Sequence, residues 1–234
     1  MTKSQVMSQL KENRNERGIA NWTKRKINTG GLKSFGIGLT QLRKLGKQIG
    51  RDHELALKLW ASDNHDAKVV SLLIDDPQKL TREQVEKQVE EIAAGHLAHV
   101  FSACDATLAK APIAFELACD WMKNKDPIRR RCGYSLIYEL SKKRRTKELT
   151  HEFLLSVIDQ IRNRFESEDT WERMAMAGAL VGMGKRNKTL NKEALKVAKK
   201  MGPIDFNEGT GNCDPFDPVK HLTSDYLKKK LGLN

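Results

Sequence analysis

The stretch DWMKNKDPIRRRCGYSLI, residues 120–137, decides the reading of the fold. It breaks at Lys125-Asp126-Pro127, turns basic, and then runs through small and apolar side chains. Two other stretches share that order: LWASDNHDAKVVSLLI at 59–74 and SEDTWERMAMAGALVGMG at 167–184. Asp126 and Asp169 stand 43 residues apart, a spacing that fits stacked helix pairs. The small residues Cys132, Gly133, Ala175, Ala177, Gly178 and Ala179 let neighbouring helices approach closely. Each pair buries its apolar face only by stacking on the next, so the array grows as a curved solenoid.

Working outward, helical periodicity dominates the chain. Leu55, Leu57, Leu59 and Trp60 start one apolar pattern, and Val69, Val70, Leu72, Leu73 and Ile74 form the next. The spacing predicts further helices at 81–93, 95–110, 113–123, 127–142, 148–164, 170–183, 188–200 and 217–230. Breaks fall at Asp75-Asp76-Pro77, Ala111-Pro112 and Gly202-Pro203. Strand signals are nearly absent, with aromatics at only 6%. The expected fold is an all-α, HEAT-like helical-repeat solenoid, curved, with a concave basic face. It reads as one domain over 1–234: a helical cap over about 1–50, repeats over about 51–200, and a C-terminal loop and helix over about 201–234.

A net charge of +12 points to a polyanion, nucleic acid before an acidic membrane surface. The charge is uneven: about +10 over 1–51, about −5 over 52–95, about +8 over 121–147 and about +6 over 185–200. Three basic clusters around an acidic segment read as a binding surface. No run of ~18 apolar residues is present, so no membrane span is expected. The N-terminal stretch MTKSQVMSQLKENRNERG lacks the apolar centre of a secretory signal. Cys104, Cys119, Cys132 and Cys213 form no CxxC pair, and the first three lie in apolar helical patterns as buried free thiols do. The expectation is a reduced, cytoplasmic, monomeric protein.

Motifs for other chemistry are weak. The Gly-rich segment NTGGLKSFGIGLTQLRKLGKQIG, 28–50, lacks Walker spacing and a preceding strand, and reads as a flexible connection. In GMGKRNK, 182–188, Gly182 or Gly184 reads as a helix cap, with Lys185 and Arg186 placed to meet phosphates. His96, His99 and Cys104 lie close together, but no second ligand pair with zinc spacing follows, so no metal and no cofactor are expected. No serine or cysteine nucleophile signature is present.

Asp105 in HVFSACDATLAKAP, 99–112, draws attention because it edges an apolar helical stripe between Phe101 and Leu108. A buried carboxylate needs a cationic or N–H partner. One reading is a structural ion pair or a cap at a helix junction. The other is a carboxylate facing a cationic ligand beside Phe101.

Several stretches resemble the DNA alkylation repair family, the HEAT-like-repeat alkylpurine DNA glycosylases. HELALKLWASDNHDAKVVSLLIDDP resembles the family's helix pair with its Leu-Trp, FSACD resembles its W-D-x-x-D element, and DPIRRRCGYSLIYEL resembles its basic stretch before a long apolar helix. The likeness continues through MAMAGALVGMGKRNKTLNKEALKVAKKMG and covers about 30–222. It implies that Asp105 matches the catalytic carboxylate and that Phe101 takes the lesion-facing place of a tryptophan. It also implies that Arg130, or Arg129 or Arg131 one residue away, touches the DNA backbone. The family's second aromatic falls near Gly178, where this chain has none; Trp121 and Trp171 are the nearest candidates to replace it. The implied activity is hydrolysis of the N-glycosidic bond of cationic N3- or N7-alkylated purines in double-stranded DNA. Two alternatives stand beside it: a non-catalytic DNA-binding repeat protein of the same fold, for distorted or branched DNA, and a scaffold for an acidic protein.

Overall fold

A computed structural model describes residues 1–24, 29–92, 96–104, 106–142, 147–206 and 214–233. Those residues form α-helices, two short 3-10 turns and two isolated β-bridges, with no strand among them. Among the described residues no helix is long and apolar enough to cross a membrane. The described chain separates into two compact units, Met1–Ala114 and Phe115–Asn234.

The first unit holds α1 (Lys3–Glu12), α2 (Glu16–Lys24), α3 (Leu39–Ile49), α4 (His53–Trp60), α5 (His65–Ile74), α6 (Arg82–Glu90) and α7 (His96–Ser102). Helix α5 is its centre, because α1, α3, α4 and α7 all pack on it. Asn64 caps its N-terminus by accepting from the Ala67 amide. Burial all round α5 includes polar residues, and each charged one has an internal role. Asp66 is fully buried and accepts from the Ser34 hydroxyl at 2.8 Å, the Phe35 amide at 2.7 Å and the Ile37 amide at 3.2 Å. Lys68 donates to the Trp60 carbonyl and to Glu91, both at 2.7 Å, and lies 4.3 Å from the centre of the Trp60 ring.

Asp66 therefore corrects the reading of the Gly-rich segment. Its described part, from Thr29 onward, is not a flexible connection but is pinned to α5. Lys33 bridges to Asn64 in parallel register. Gly36 has φ +71° and meets Gly18 so closely that a Cβ on Gly18 would lie 2.0 Å from the Gly36 carbonyl oxygen.

Helix α8 (Ala114–Met122) starts at the boundary, and the second unit continues with α9 (Pro127–Lys142), α10 (His151–Arg164), α11 (Thr170–Gly184), α12 (Lys188–Met201), α13 (Pro218–Leu222) and α14 (Asp225–Leu231). Its packing is that of a repeat. Helix α9 lies on α11, α10 lies on α12, and α11 pairs with α12, so successive helix pairs form two layers. The small residues permit this approach. A Cβ on Gly133 would sit 2.7 Å from the Met122 amide nitrogen, so α8 and α9 touch backbone to backbone there. Gly182 and Gly184 lie inside α11 rather than capping it, and a Cβ on Gly184 would meet Leu222 at 2.4 Å. The helix expected over 217–230 is broken at Thr223 into α13 and α14.

Candidate nucleic-acid interface

The helix expected over 95–110 is interrupted. Helix α7 ends at Ser102, Cys104 takes the left-handed conformation with φ +57°, and a 3-10 turn follows at Leu108–Lys110. Phe101 and Leu108 therefore do not share a continuous helical stripe. Asp105 itself lies outside the described residues, but the chain on each side of it is held. Arg43 of α3 donates to the Cys104 carbonyl at 3.3 Å and also touches its Sγ. Arg51 donates to the Leu73 carbonyl at 3.1 Å, the Asp75 carbonyl at 2.6 Å and the Thr107 hydroxyl at 2.9 Å. The Asp75 carboxylate is buried and in turn receives the His53 ring at 2.6 Å and the Gln84 amide at 2.9 Å. Two guanidinium groups thus fasten residues 104 and 107, and a buried polar network holds the second of them.

Phe101 belongs to the core of the first unit. Its exposure is 2%, and it lines a small apolar cavity with Leu72, Leu80, Val85, Val100 and Leu108. The ring for which a lesion-facing place was implied packs inward among these aliphatic side chains. At position 178 the second unit carries no side chain. The space where a Cβ on Gly178 would sit is open, with no atom within 4 Å. Trp121 is a fully buried core residue of the second unit, and Trp171 carries Arg131, whose guanidinium carbon lies 4.6 Å from the ring centre. Among the described residues no group of three or more metal-ligating side chains occurs.

The arginine triplet is used internally. Arg129 pairs with Asp126 at 2.9 Å, and the same carboxylate accepts from the Ile128 amide at the start of α9. Arg130 donates through Nε and Nη2 to the two oxygens of Glu168, at 2.7 and 2.6 Å, and through Nη1 to the carbonyls of Asn124 and Lys125. Four of its five N–H donors are so engaged. Arg164 of α10 closes on the same Glu168. Burial alone would raise the Glu168 carboxyl; the hydrogen bonds and charges of Arg130 and Arg164 outweigh it and hold the group below the usual range. Glu172, one turn on, has no such pairing. Burial lifts its carboxyl above the ordinary value, and Arg131 offsets this only in part.

The cluster after α11 behaves differently. Arg186 folds back to donate to the Ser141 carbonyl at 3.1 Å. Lys185 is partly buried, and Lys230 of α14 donates to its carbonyl at 3.3 Å. Burial, then the charges of Lys230 and Lys142, push the Lys185 ammonium below the usual lysine value. Of the basic run 142–147, residues 143–146 lie outside the described residues. Residue types and local order pointed to Lys185 and Arg186. The roles of Glu168, Arg164, Arg43, Arg51 and Lys230 depend on contacts with residues remote in sequence, and no local signal marked them.

Comparison with known proteins sets this arrangement in context. Residues 5–210 match the model of a family described as DNA alkylation repair enzyme. An uncharacterized protein of Listeria innocua is 23% identical over 193 residues, spanning 82% of this chain and 83% of its own. An uncharacterized protein of Listeria monocytogenes matches to the same extent. Among solved structures, one has a TM-score of 0.82 at 19% identity, covering 99% of this chain and 97% of that one. It represents a family of proteins related to the HEAT-like repeat DNA glycosylases with affinity for branched DNA structures. That likeness establishes the HEAT-like repeat fold.

Proposed function

The chain belongs to the DNA alkylation repair enzyme family, and on that premise we propose that it binds double-stranded DNA and hydrolyses the N-glycosidic bond of cationic N3- or N7-alkylated purines, with Asp105 as the carboxylate at the reacting sugar. The observation that carries this reading is the pair of arginine anchors: Arg43 on Cys104 and Arg51 on Thr107 fasten the chain on both sides of Asp105.

The chemistry asks little of the protein beyond placed charge. An alkylated purine carries positive charge and departs as a neutral base when the bond to C1′ breaks. Positive charge then develops on the sugar, where a carboxylate stabilises it and orients a water for attack at C1′. The water supplies hydroxyl to C1′ and releases a proton to the carboxylate or to solvent. Phosphate contacts from lysines supply affinity without sequence preference. In this reading the protein acts as a monomer in the reducing cytoplasm and uses no cofactor.

Asp105→Asn keeps the shape of the side chain and removes its charge. Release of methylated purine from duplex DNA should fall by at least about tenfold, with DNA affinity and melting temperature nearly unchanged. Wild-type-like release by that variant overturns the assignment. A second reading, binding without excision, is favoured by the inward Phe101 and the bare position at Gly178. Neither ring is then available to face a cationic base, and the substrate becomes a distorted or branched DNA. Tight binding by the unmodified protein with no release of methylated purine selects it.

A further inference from the structure

Helices α9, α11 and α14 bring cations to one place in the second unit. Lys142 is the last residue of α9, Lys185 closes α11, and Lys230 lies in the last turn of α14. The Lys230 ammonium reaches the Lys185 backbone at 3.3 Å. Lys188, the first residue of α12, joins them through the end of α14: its Nζ would lie 3.5 Å from a Cβ on Gly232, just beyond that helix. Like charges repel, and the repulsion is registered at Lys185, where Lys230 and Lys142 add to burial in disfavouring the charged amine.

Among the described residues a carboxylate relieves only part of this. Lys142 has Glu139 at 2.8 Å and the Tyr138 ring beneath it. Asp217, at the start of α13, accepts from the amides of Val219 and Lys220. Lys185, Lys188 and Lys230 make no ion pair among the described residues. The contrast with Arg129 and Arg130, each paired with a carboxylate, is one of construction. Cations assembled without counter-charge on a folded surface lower their energy when an anion with several oxygens sits among them.

We propose that Lys185, Lys188 and Lys230, with Lys142 beside them, form a phosphate-binding patch that seats the sugar–phosphate backbone of DNA, making the C-terminal helix α14 part of the DNA-contacting surface. The proposal rests on the DNA-binding part of the reading above and is independent of excision. It differs from the arrangement expected from sequence in recruiting α14, whose lysines come from a third element.

The test is a salt titration of duplex DNA binding with the full-length protein. Lys185→Gln/Lys230→Gln should make the dependence of log K on log salt shallower by about 2, one step of about 0.9 for each lost contact. Affinity at moderate salt should fall at least about tenfold. Lys185→Arg/Lys230→Arg should retain both. Lys87→Gln, which removes an exposed lysine paired with Glu83 in the first unit, serves as the control and should change neither. Amine labelling of Lys185 should be blocked by duplex DNA. Inorganic phosphate protecting it equally well at the same phosphate concentration overturns the choice of DNA backbone. An unchanged slope in the double glutamine variant, with duplex binding intact, overturns the patch alone. No duplex binding by the unmodified protein overturns the DNA reading and the patch with it.

Discussion

Two basic regions of the second unit look alike as charge and differ in what the charge does. Arg129, Arg130 and Arg131 stand on α9, and each is occupied: Asp126 holds the first, Glu168 the second, and the Trp171 ring the third. Lys185, Lys188 and Lys230 stand around the ends of α11, α12 and α14 with no carboxylate partner among the described residues. The arginines are planar forks suited to fixed, multidentate pairing, and the lysines are compact charges on flexible stems. The first region ties helices together, and the second keeps its charge available. A count of positive residues does not distinguish them; the location of the nearest acids does.

The largest expected effect tests the arginine side of that contrast. Glu168→Gln removes the charge on which Arg130 and Arg164 converge and should lower stability by about 3 kcal/mol near neutral pH, measured by urea unfolding. The folded-state Glu168 carboxyl lies below its ordinary value of 4.5. Its contribution is therefore fully present above that value and lost as pH falls through the folded one. The wild-type advantage over Glu168→Gln should shrink in acid. Equal stability of the two proteins at neutral pH would break the contrast, since the arginines would then be as unspent as the lysines.

A smaller loss is expected from Arg131→Ala. Removing the cation from the Trp171 face should cost about 1 kcal/mol, read as a lower melting temperature. The salt dependence of DNA binding should be unaltered. A shallower salt slope would move Arg131 to the lysine group. The smallest effect, and of opposite sign, belongs to Glu172→Gln. Burial holds the Glu172 carboxyl above its ordinary value, so ionising it at neutral pH opposes folding. The amide should be roughly 0.5 kcal/mol more stable near pH 7, and the difference should fade as pH falls and the wild-type carboxyl takes up its proton. A loss as large as that for Glu168→Gln would show that both glutamates serve the arginines.

The helices of the second unit were legible because their signals are local. Pro127 starts α9, Asn187 caps α12, and Gly202 follows its last residue, so the expected ranges 127–142, 170–183 and 188–200 lie within a residue of those observed. The break after Ser102 was not legible, because the chain there is held by Arg43, 61 residues away in sequence. For the same reason the pairing of Arg130 could not be read locally: its partner Glu168 is 38 residues distant. Phe101 fits an apolar helical stripe on either reading, and only packing decides which way the ring points. The Gly-rich segment failed as a flexible connection because Asp66, far along the chain, collects its amides. What sequence carried was periodicity and composition; what it lacked was knowledge of which charges neutralise one another.

Position 178 gives the repeat a spare socket. A glycine inside a helix costs about 1 kcal/mol relative to alanine, and at Gly133 and Gly184 close-packed neighbours require that cost. At Gly178 nothing does, since the space beside the backbone is open. Helix α11 can therefore accept a Cβ there without displacing its neighbours. A scaffold built this way can gain a side chain at that position by one substitution while its stacking stays intact. Chains that share this stacking can in this way diverge in surface chemistry long before they diverge in shape.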